Sequence, residues 1–316
     1  MKNLDVLLET SLAFPLFRRG KVRDVYDLVD KLLIVSTDRI SAFDAVLPCG
    51  VPDKGKVLNQ LSAFWFERTA HIIPHHLIKV IDSLGELQDV AQQLTADSYQ
   101  LEALDCLVGR SMLVAKAERV PVECVVRGYL SGSAWEEYKE TGKAGNIHLP
   151  SGMRESQELL QPIFTPTTKS DTEHDRPLDN RDIKNLGIED LIGELEQKSV
   201  LIYCYARDYA KNKGIIIADT KFEFGFINGK LAIIDELLTP DSSRFWDASQ
   251  YEAGRSQLSF DKQPVRDWLL ASGWDKESPA PMLPQEVIEG TSKRYREVYS
   301  KLAEGVLGEK QDGDYQ

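Results

Sequence analysis

The chain has 316 residues, of which 42% are hydrophobic and 28% are charged, so it can bury enough apolar surface for two lobes. Its net charge of −12 opposes non-specific binding to nucleic acid, and no apolar run approaches the roughly 20 residues of a membrane-spanning helix. Asp5 and Glu9 interrupt the apolar N-terminus, which argues against a signal peptide and predicts a cytoplasmic protein with no membrane partner.

The cysteines and histidines do not predict a metal site. His71 and His75 have the i,i+4 spacing of helical ligands, but Pro74 lies between them and breaks a helix there. The four cysteines lie far apart in the chain and are interpreted as reduced thiols: Cys49, Cys106, Cys124 and Cys204.

The first part of the chain is rich in predicted strands. Short apolar runs predict strands at residues 31–37, 111–117 and 120–126. Residues 55–70 repeat apolar side chains at spacings of three and four, which predicts an amphipathic helix. Residues 151–181 are rich in Pro, Thr, Ser and Asp, and this composition predicts an irregular surface loop.

The second part begins with a long predicted helix at residues 188–213, which Gly214 ends. Two apolar runs then flank Asn228-Gly229, the strongest short signal for a β-hairpin. Two more helices are predicted at residues 264–272 and 284–303. Strands that alternate with helices outside a regular βαβ rhythm predict an α+β fold.

The hairpin carries the first candidate site. Alternation places the charged side chains of Asp219, Lys221 and Glu223 on one face of the hairpin, together with Gly225. The other face carries Phe222, Phe224 and Phe226. The charged face is either a solvated surface or, with Asp235 on the second strand, a site for Mg²⁺ and nucleotide phosphates. Glu223 and Asp235 lie opposite each other only with an odd turn, so we expect a three-residue loop at 228–230. A two-residue turn brings Glu236 to the Glu223 face instead.

Two basic or polar segments near the N-terminus have two interpretations each. Residues 19–24 (RGKVRD) suit a loop that covers polyphosphate, with Lys21 as a point charge, but an exposed basic turn is equally common. Residues 37–44 (TDRISAFD) follow a predicted strand and either line a pocket or form a cap or turn.

Two arginines supply the remaining candidates. Arg127 precedes a glycine-flanked loop, where Ser133 and Glu136 have the spacing of a capping box; a helix N-terminus beside an arginine suits an anion. If Ser133 only caps the helix, this site is reduced to Arg127. Arg244 has two interpretations. It either binds the phosphate or carboxylate of a ligand through two hydrogen bonds, or it forms a surface ion pair with Asp241.

Together these segments resemble the SAICAR synthetase family of purine biosynthesis, in its longer, yeast-type branch. The resemblance spans most of residues 18–250 in the expected order and rests on these stretches: GKVRDVY, TDRISAFD, PDKGKVLNQLSAFWF, VPVECVVRGYLSGSAWEEY, PIFTPTTK, GIIIADTKFEFG and IDELLTPDSSRFW.

The resemblance implies an ATP-dependent ligase that uses Mg²⁺ and joins L-aspartate to carboxyaminoimidazole ribonucleotide. It further implies a small antiparallel-sheet lobe at residues 1–118, a larger ATP-grasp-like lobe at residues 119–316 and a nucleotide cleft between them. The expected partners are therefore small molecules and not nucleic acid, and the expected assembly is a monomer or a small homo-oligomer.

Carried over by position, the resemblance assigns roles to individual residues. The nucleotide contacts are Lys21, Arg23, Lys116, Ala117 and Arg119, with Glu223 and Asp235 as nucleotide and magnesium ligands. The substrate contacts are Asp44, Arg127, Ser133, Lys169, Asp241 and Arg244. The residues assigned to catalysis are Lys221, Asp219 and Arg244.

Two other functions would use a similar nucleotide site. A small-molecule kinase would form ADP from ATP without aspartate, whereas the ligase would not. A catalytically silent nucleotide-binding protein would form no ADP with both substrates present. ADP formation with and without each co-substrate therefore separates the three functions.

Overall fold

The computed structural model describes residues 6–92, 105–169, 176–277 and 279–303. These residues form antiparallel sheets with flanking helices, so the predicted α+β class is confirmed. Contacts divide the chain into two units, one from residues 1–64, 77–116 and 260–316 and the other from residues 65–76 and 117–259. Within the described ranges, no helix is long and apolar enough to cross a membrane.

Within the described residues, the first unit contains seven strands and four α-helices, one of which, α1, ends in the second unit. Their bounds are β1 (Leu16–Arg19), β2 (Arg23–Asp27), β3 (Lys31–Ser36), β4 (Arg39–Ala42), β5 (Ala45–Gly50), α1 (Lys54–Thr69), β6 (Leu77–Ile81), α2 (Leu84–Gln92), β7 (Ser111–Ala115), α6 (Gln263–Ala271) and α7 (Gln285–Ala303). Five strands form one sheet in the order β1-β2-β3-β7-β6, and β4 and β5 form a separate hairpin. The predicted strands at 31–37 and 111–117 and the predicted helix at 55–70 are confirmed.

The C-terminal helices pack within this first unit. Val265 and Leu269 of α6 and Ile288 of α7 join Ile40 and Val51 in one buried apolar cluster. The sequence assigned these helices to a second lobe at residues 119–316, so the packing units differ from that division. Apolar helix faces are compatible with either lobe, and only tertiary contacts choose between them.

The second unit is built on a six-stranded sheet. Its elements are β8 (Glu118–Tyr129), α3 (Ser133–Thr141), β9 (Lys143–Ala144), β10 (Ile147–His148), β11 (Glu158–Phe164), β12 (Thr167–Thr168), α4 (Asn180–Asn185), α5 (Ile192–Lys211), β13 (Ile215–Ile227), β14 (Lys230–Ile234) and β15 (Ser243–Asp247). The strand order is β11-β8-β13-β14, with β12 also on β8 and β15 also on β13. Strand β13 therefore has β8 along one edge and β15 followed by β14 along the other.

The turn of the predicted hairpin has two residues, and the expected three-residue loop is wrong. Ile227 pairs with Lys230, which leaves only Asn228 and Gly229 in the turn, both with positive φ. This is the turn that the right-handed twist of two strands favours. Glu223 consequently lies opposite Ile234, so Asp235 is not its cross-strand partner.

The predicted irregular loop at residues 151–181 contains regular structure. Strands β11 and β12 pair with β8, and Leu159 and Phe164 are buried. Asp179 caps α4 by accepting hydrogen bonds from the amides of Arg181 and Asp182. Polar composition concealed these elements because short edge strands need few apolar residues. Residues 170–175 of this stretch lie outside the described residues.

Gly128 of β8 allows α5 to approach the sheet. A Cβ atom at Gly128 would lie 1.9 Å from the hydroxyl oxygen of Tyr203, which donates a 2.7 Å hydrogen bond to the carbonyl of Ile217. Tyr203 is fully buried, so it cannot move into solvent. The glycine is therefore required by packing and not by a special backbone conformation.

We expect Gly128→Ala to lower the free energy of unfolding by about 1–3 kcal/mol, because the added methyl group overpacks the contact with Tyr203. Combining it with Tyr203→Phe should recover part of the loss, since this removes the atom that collides most closely. Urea denaturation of both variants, with Tyr203→Phe and the helical Gly193→Ala as controls, tests the prediction. Equal stability of Gly128→Ala and wild type contradicts it.

Candidate functional site

Asp219 on β13 lies between two arginines on the neighbouring strands. In the sheet register it pairs with Arg127 of β8 on one side and with Arg244 of β15 on the other. NH1 of Arg127 lies 3.1 Å from Oδ2 of Asp219, and NH1 of Arg244 donates to the same oxygen. The strand pairing thus brings together three residues that the sequence nominated from separate segments.

The Arg127 side chain of this group is buried and held by several hydrogen bonds. Asp219 and Arg127 are both nearly buried, and the Arg127 guanidinium also donates to Thr165 Oγ1 at 2.9 Å and to Ser133 Oγ at 3.4 Å. Burial lowers the pKa of Arg127, against the raising effect of Asp219, but a guanidinium remains protonated at neutral pH. Two guanidinium groups held together by one carboxylate suit an anionic ligand.

The predicted capping box at Ser133 is wrong. The N-cap of α3 is Gly132, which makes no side-chain cap bond, and Ser133 is the first helical residue. Gly132 has φ of +56°, and a Cβ atom there would lie 2.2 Å from NH2 of Arg244. The glycine therefore leaves room for Arg244, and the Ser133 hydroxyl accepts from Arg127 instead of capping the helix.

A second group of charges lies further along β13. Glu223 is the cross-strand partner of Glu123 on β8, and Lys169, just after β12, contacts both carboxylates at 2.6 Å. Lys221 donates to the other oxygen of Glu123 at 2.8 Å. Two lysines and two glutamates form a neutral quartet, which we call the Glu123 quartet.

The quartet resolves the repulsion between its two carboxylates. Like charges directly across a sheet destabilise it, and Lys169 sits where it attracts both. Burial disfavours its charge, but Glu223 and Glu123 outweigh that effect and raise the pKa of Lys169. Burial likewise works against the Glu123 carboxylate, yet Lys221 and Lys169 prevail and lower the pKa of Glu123.

The sequence analysis did not assign Glu123 to the site. It lies within the apolar run VPVECVV, and its side chain is 10% exposed. A buried carboxylate is costly unless it is paired, so an acidic residue inside a buried strand was a usable signal. The partners themselves could not be found that way, because Lys169 and Lys221 lie 46 and 98 residues further along the chain.

The two carboxylates proposed for magnesium lie on β13 and just after the end of β14. Asp235 directly follows Ile234, the cross-strand partner of Glu223, and its φ of +68° departs from strand geometry. Within the described residues, no group of three or more His, Cys, Asp or Glu side chains is arranged for a metal. Two carboxylates nevertheless suit Mg²⁺, which typically binds one or two of them together with phosphates and water.

Asp241 lies in the loop between β14 and β15. Its amide donates to Thr239 Oγ1 at 3.2 Å, and that hydroxyl donates to Glu236 at 2.6 Å. The loop is thus held by its own hydrogen bonds between the two strands that lie along the same edge of β13. Arg244, for which the sequence offered a surface ion pair with Asp241 as one interpretation, contacts Asp219 through Nη1.

In the first unit, the structure pairs Lys21 with Asp44. Lys21 Nζ lies 2.5 Å from the Asp44 carboxylate, and both side chains are more than half exposed. Asp44 and Phe43 occupy the turn between β4 and β5, with φ of +65° and +50°. Positive φ is unfavourable for both residue types, and such strain is concentrated at functional sites. Arg23 begins β2 and is half-buried.

The predicted adenine-facing linker joins β7 to β8. Lys116 Nζ lies 2.7 Å from the Asp27 carboxylate, which lowers the pKa of Asp27. Lys116 also borders an open cavity of about 370 Å³ together with these residues: Ala13, Phe14, Pro15, Asp27, Leu28 and Val29. Ala117 follows in the linker, and Arg119 lies on β8 opposite Gly225.

The chain is similar to SAICAR synthetases in sequence and in structure. The sequence model described as SAICAR synthetase matches residues 16–281. The phosphoribosylaminoimidazole-succinocarboxamide synthase of Thermodesulfovibrio yellowstonii is 50% identical over 303 residues, covering 96% of this chain and 99% of that protein. The SAICAR synthase of Saccharomyces cerevisiae, solved in complex with SAICAR, has a TM-score of 0.84 at 40% identity, covering 95% and 99%. A SAICAR synthetase solved in complex with ADP has a TM-score of 0.65 at 27% identity, covering 92% and 98%.

The Glu123 quartet predicts a specific pH dependence of stability. A carboxylate with a lowered folded-state pKa stabilises the fold above its unfolded pKa of about 4.3, and this contribution is lost as the pH falls through the folded value. We expect Glu123→Gln to lower the free energy of unfolding by about 3 kcal/mol at pH 7 and by progressively less below pH 4.

Urea denaturation at pH 7, 5 and 3 measures this difference. Glu118→Gln, on the exposed start of the same strand, is the matched control and should stay within about 0.5 kcal/mol of wild type at each pH. A deficit for Glu123→Gln that is constant across the pH range contradicts an electrostatic origin.

Proposed function

The chain belongs to the SAICAR synthetase family, whose members use ATP to join L-aspartate to carboxyaminoimidazole ribonucleotide, and we propose that the charged groups described above are its substrate-binding machinery. The protein is a ligase of purine biosynthesis and uses ATP. The residue roles below are our proposal. The observation that carries them is the convergence of Arg127 and Arg244 on Asp219.

We propose that Arg127, Ser133, Asp241 and Arg244 of the second unit bind the ribonucleotide. Two guanidinium groups meet at Asp219 within a chain of net charge −12, and paired guanidinium groups favour binding of a phosphate or carboxylate. Asp219 fixes both guanidinium groups, which reduces the conformational freedom that they lose when a phosphate or carboxylate binds.

For the nucleotide, we propose phosphate contacts from Lys21 and Arg23 and adenine contacts from the linker that contains Lys116, Ala117 and Arg119. Glu223 and Asp235 would hold Mg²⁺. Lys169 contacts the Glu223 carboxylate and would act as a counter-charge there. Bound Mg²⁺ would neutralise charge on the transferring phosphoryl group.

The chemistry requires that a carboxylate become reactive toward an amine. We propose that a carboxylate oxygen of the ribonucleotide attacks the γ-phosphorus of ATP, breaking its bond to ADP and giving an acyl phosphate. The neutral amine of L-aspartate then attacks the acyl carbon, phosphate leaves, and the nitrogen loses a proton. We propose that Lys221, the half-exposed member of the Glu123 quartet, and Arg244 stabilise the developing negative charge, while Asp219 holds Arg244.

A small-molecule kinase is not favoured, because the family match covers residues 16–281 and the relatives match at 50% identity over nearly the whole chain. The kinase would nevertheless differ in one measurable respect. It would transfer phosphate to its substrate without needing an amino acid.

We expect steady-state ADP formation to require both carboxyaminoimidazole ribonucleotide and L-aspartate. A coupled ADP assay with each substrate omitted in turn measures this, and mass spectrometry identifies the succinocarboxamide product. Sustained ADP formation without aspartate identifies a kinase. No ADP formation with all substrates and Mg²⁺ identifies a silent nucleotide-binding protein.

We expect Glu223→Ala to lower kcat on the order of 100-fold, because it removes a carboxylate that would hold the metal beside the nucleotide. Stability should change little, since Lys169 keeps its ion pair with Glu123. Glu252→Ala, at an exposed ion pair with Arg255, is the matched control and should retain wild-type turnover. Near-normal kcat of Glu223→Ala at saturating Mg²⁺ excludes the metal-binding role.

A further inference from the structure

A buried arginine holds the backbone of the basic loop between β1 and β2. Arg39 is 8% exposed, and its guanidinium donates to the carbonyl of Lys21 at 3.1 Å and to the carbonyl of Gly20 at 2.9 Å. It also donates to the carbonyl of Leu8 at 2.5 Å. An arginine has five N–H donors in a fixed plane, so it can fix several backbone carbonyls relative to one another.

Thr37 holds the next carbonyl of the same loop. Its backbone amide donates to the carbonyl of Val22 at 3.0 Å, and its side-chain hydroxyl donates to the same oxygen at 2.8 Å. The loop is closed by a hydrogen bond of 2.8 Å from the Gly20 amide to the Arg23 carbonyl. Three consecutive loop carbonyls, from Gly20 to Val22, are therefore anchored by Thr37 and Arg39.

The guanidinium of Arg39 is itself fixed by a buried carboxylate. Asp24 has no exposed surface and accepts from Arg39 at 2.8 Å, from the Thr10 amide at 2.9 Å and from the Thr10 hydroxyl at 2.7 Å. Burial raises the pKa of Asp24, but the hydrogen bonds from Arg39 and Thr10 outweigh it and lower the pKa overall. The carboxylate therefore stays ionised and holds Arg39 in one orientation.

We infer that Arg39, together with Thr37, is a positioning residue that fixes the Gly20–Val22 loop so that Lys21 can meet nucleotide phosphates. This inference rests on the proposed function, in which Lys21 is a phosphate contact. A carbonyl oxygen that turned toward a phosphate would repel it, and inward hydrogen bonds prevent that turn. A loop ordered in advance also loses less conformational freedom when the nucleotide binds.

The same segment controls the side chain of Lys21 as well as its backbone. Thr37 and Arg39 begin the stretch TDRISAFD, and Asp44 at its end pairs with Lys21 Nζ. This stretch of sequence therefore contacts the loop both at its backbone carbonyls and at the Lys21 side chain. The stretch contains a turn at Phe43 and Asp44, one of the interpretations that the sequence left open, and it also supports the neighbouring basic loop.

The experiment compares Thr37→Val and Arg39→Lys with wild type. Thr37→Val keeps the side-chain shape and the amide bond but removes the hydroxyl, and Arg39→Lys keeps the charge but cannot reach all the carbonyls. We expect KM for ATP to rise about 3-fold for Thr37→Val and about 10-fold for Arg39→Lys, with matching increases in the Kd for ADP by calorimetry. KM for L-aspartate should stay within about 2-fold of wild type.

The matched control is Thr291→Val in α7. Thr291 is also fully buried in the first unit, and its hydroxyl also donates to a backbone carbonyl, that of Val287 at 2.7 Å. It should lose similar stability but keep the KM for ATP and the Kd for ADP. A role for Thr37 and Arg39 in stability alone predicts the same behaviour for all three variants.

Two results would overturn the inference. The first is an unchanged Kd for ADP in a folded Thr37→Val variant, and this result decides the matter even if Arg39→Lys does not fold. The second is an equal rise in KM for ATP and for L-aspartate, which indicates general damage. A wild-type protein that forms no product refutes the proposed function instead, and its ADP affinity still tests the loop.

Discussion

The charged residues of β13 depend on exact strand pairing, because each must find a partner in a mostly buried sheet. Asp219 is stable there only because β8 and β15 place an arginine on either side of it. Glu223 lies opposite another glutamate, and this arrangement depends on Lys169, which directly follows the short strand β12. A shift of one residue in either strand would leave these charges unpaired, so the register of the sheet and the composition of the candidate site are one constraint.

Two glycines show how closely packing and chemistry are linked in this region. Gly128 admits the hydroxyl of Tyr203, which ties α5 to the sheet, and Gly132 leaves space for the guanidinium of Arg244. Both belong to the stretch RGYLSGS, which also contributes Arg127 and Ser133. This stretch thus contributes two candidate ligands together with the space that Tyr203 and Arg244 occupy. A larger side chain at Gly132 would collide with Arg244, and one at Gly128 would collide with Tyr203.

The first unit uses the same physical device in a different setting. There, Asp24 holds Arg39, and Arg39 holds the carbonyls of a loop that carries Lys21. In the second unit, Asp219 holds two arginines at a strand edge. In both cases a buried carboxylate reduces the freedom of a guanidinium, and the ordered guanidinium can then orient either a backbone segment or an anionic ligand.

The sequence by itself determined the local elements and much of the candidate site. Periodicity gave α1, α5 and the β13–β14 hairpin, and the motifs nominated Arg127, Asp219 and Arg244, because these signals depend on neighbours within a few residues. Tertiary structure decided the two-residue turn, the edge strand at Glu158–Phe164, the place of the C-terminal helices and the role of Glu123. Each of those features depends on contacts with distant parts of the chain. In the sequence, Glu123 is a single charge in an apolar strand, and no local pattern predicts that Lys169 and Lys221 contact it in the folded protein.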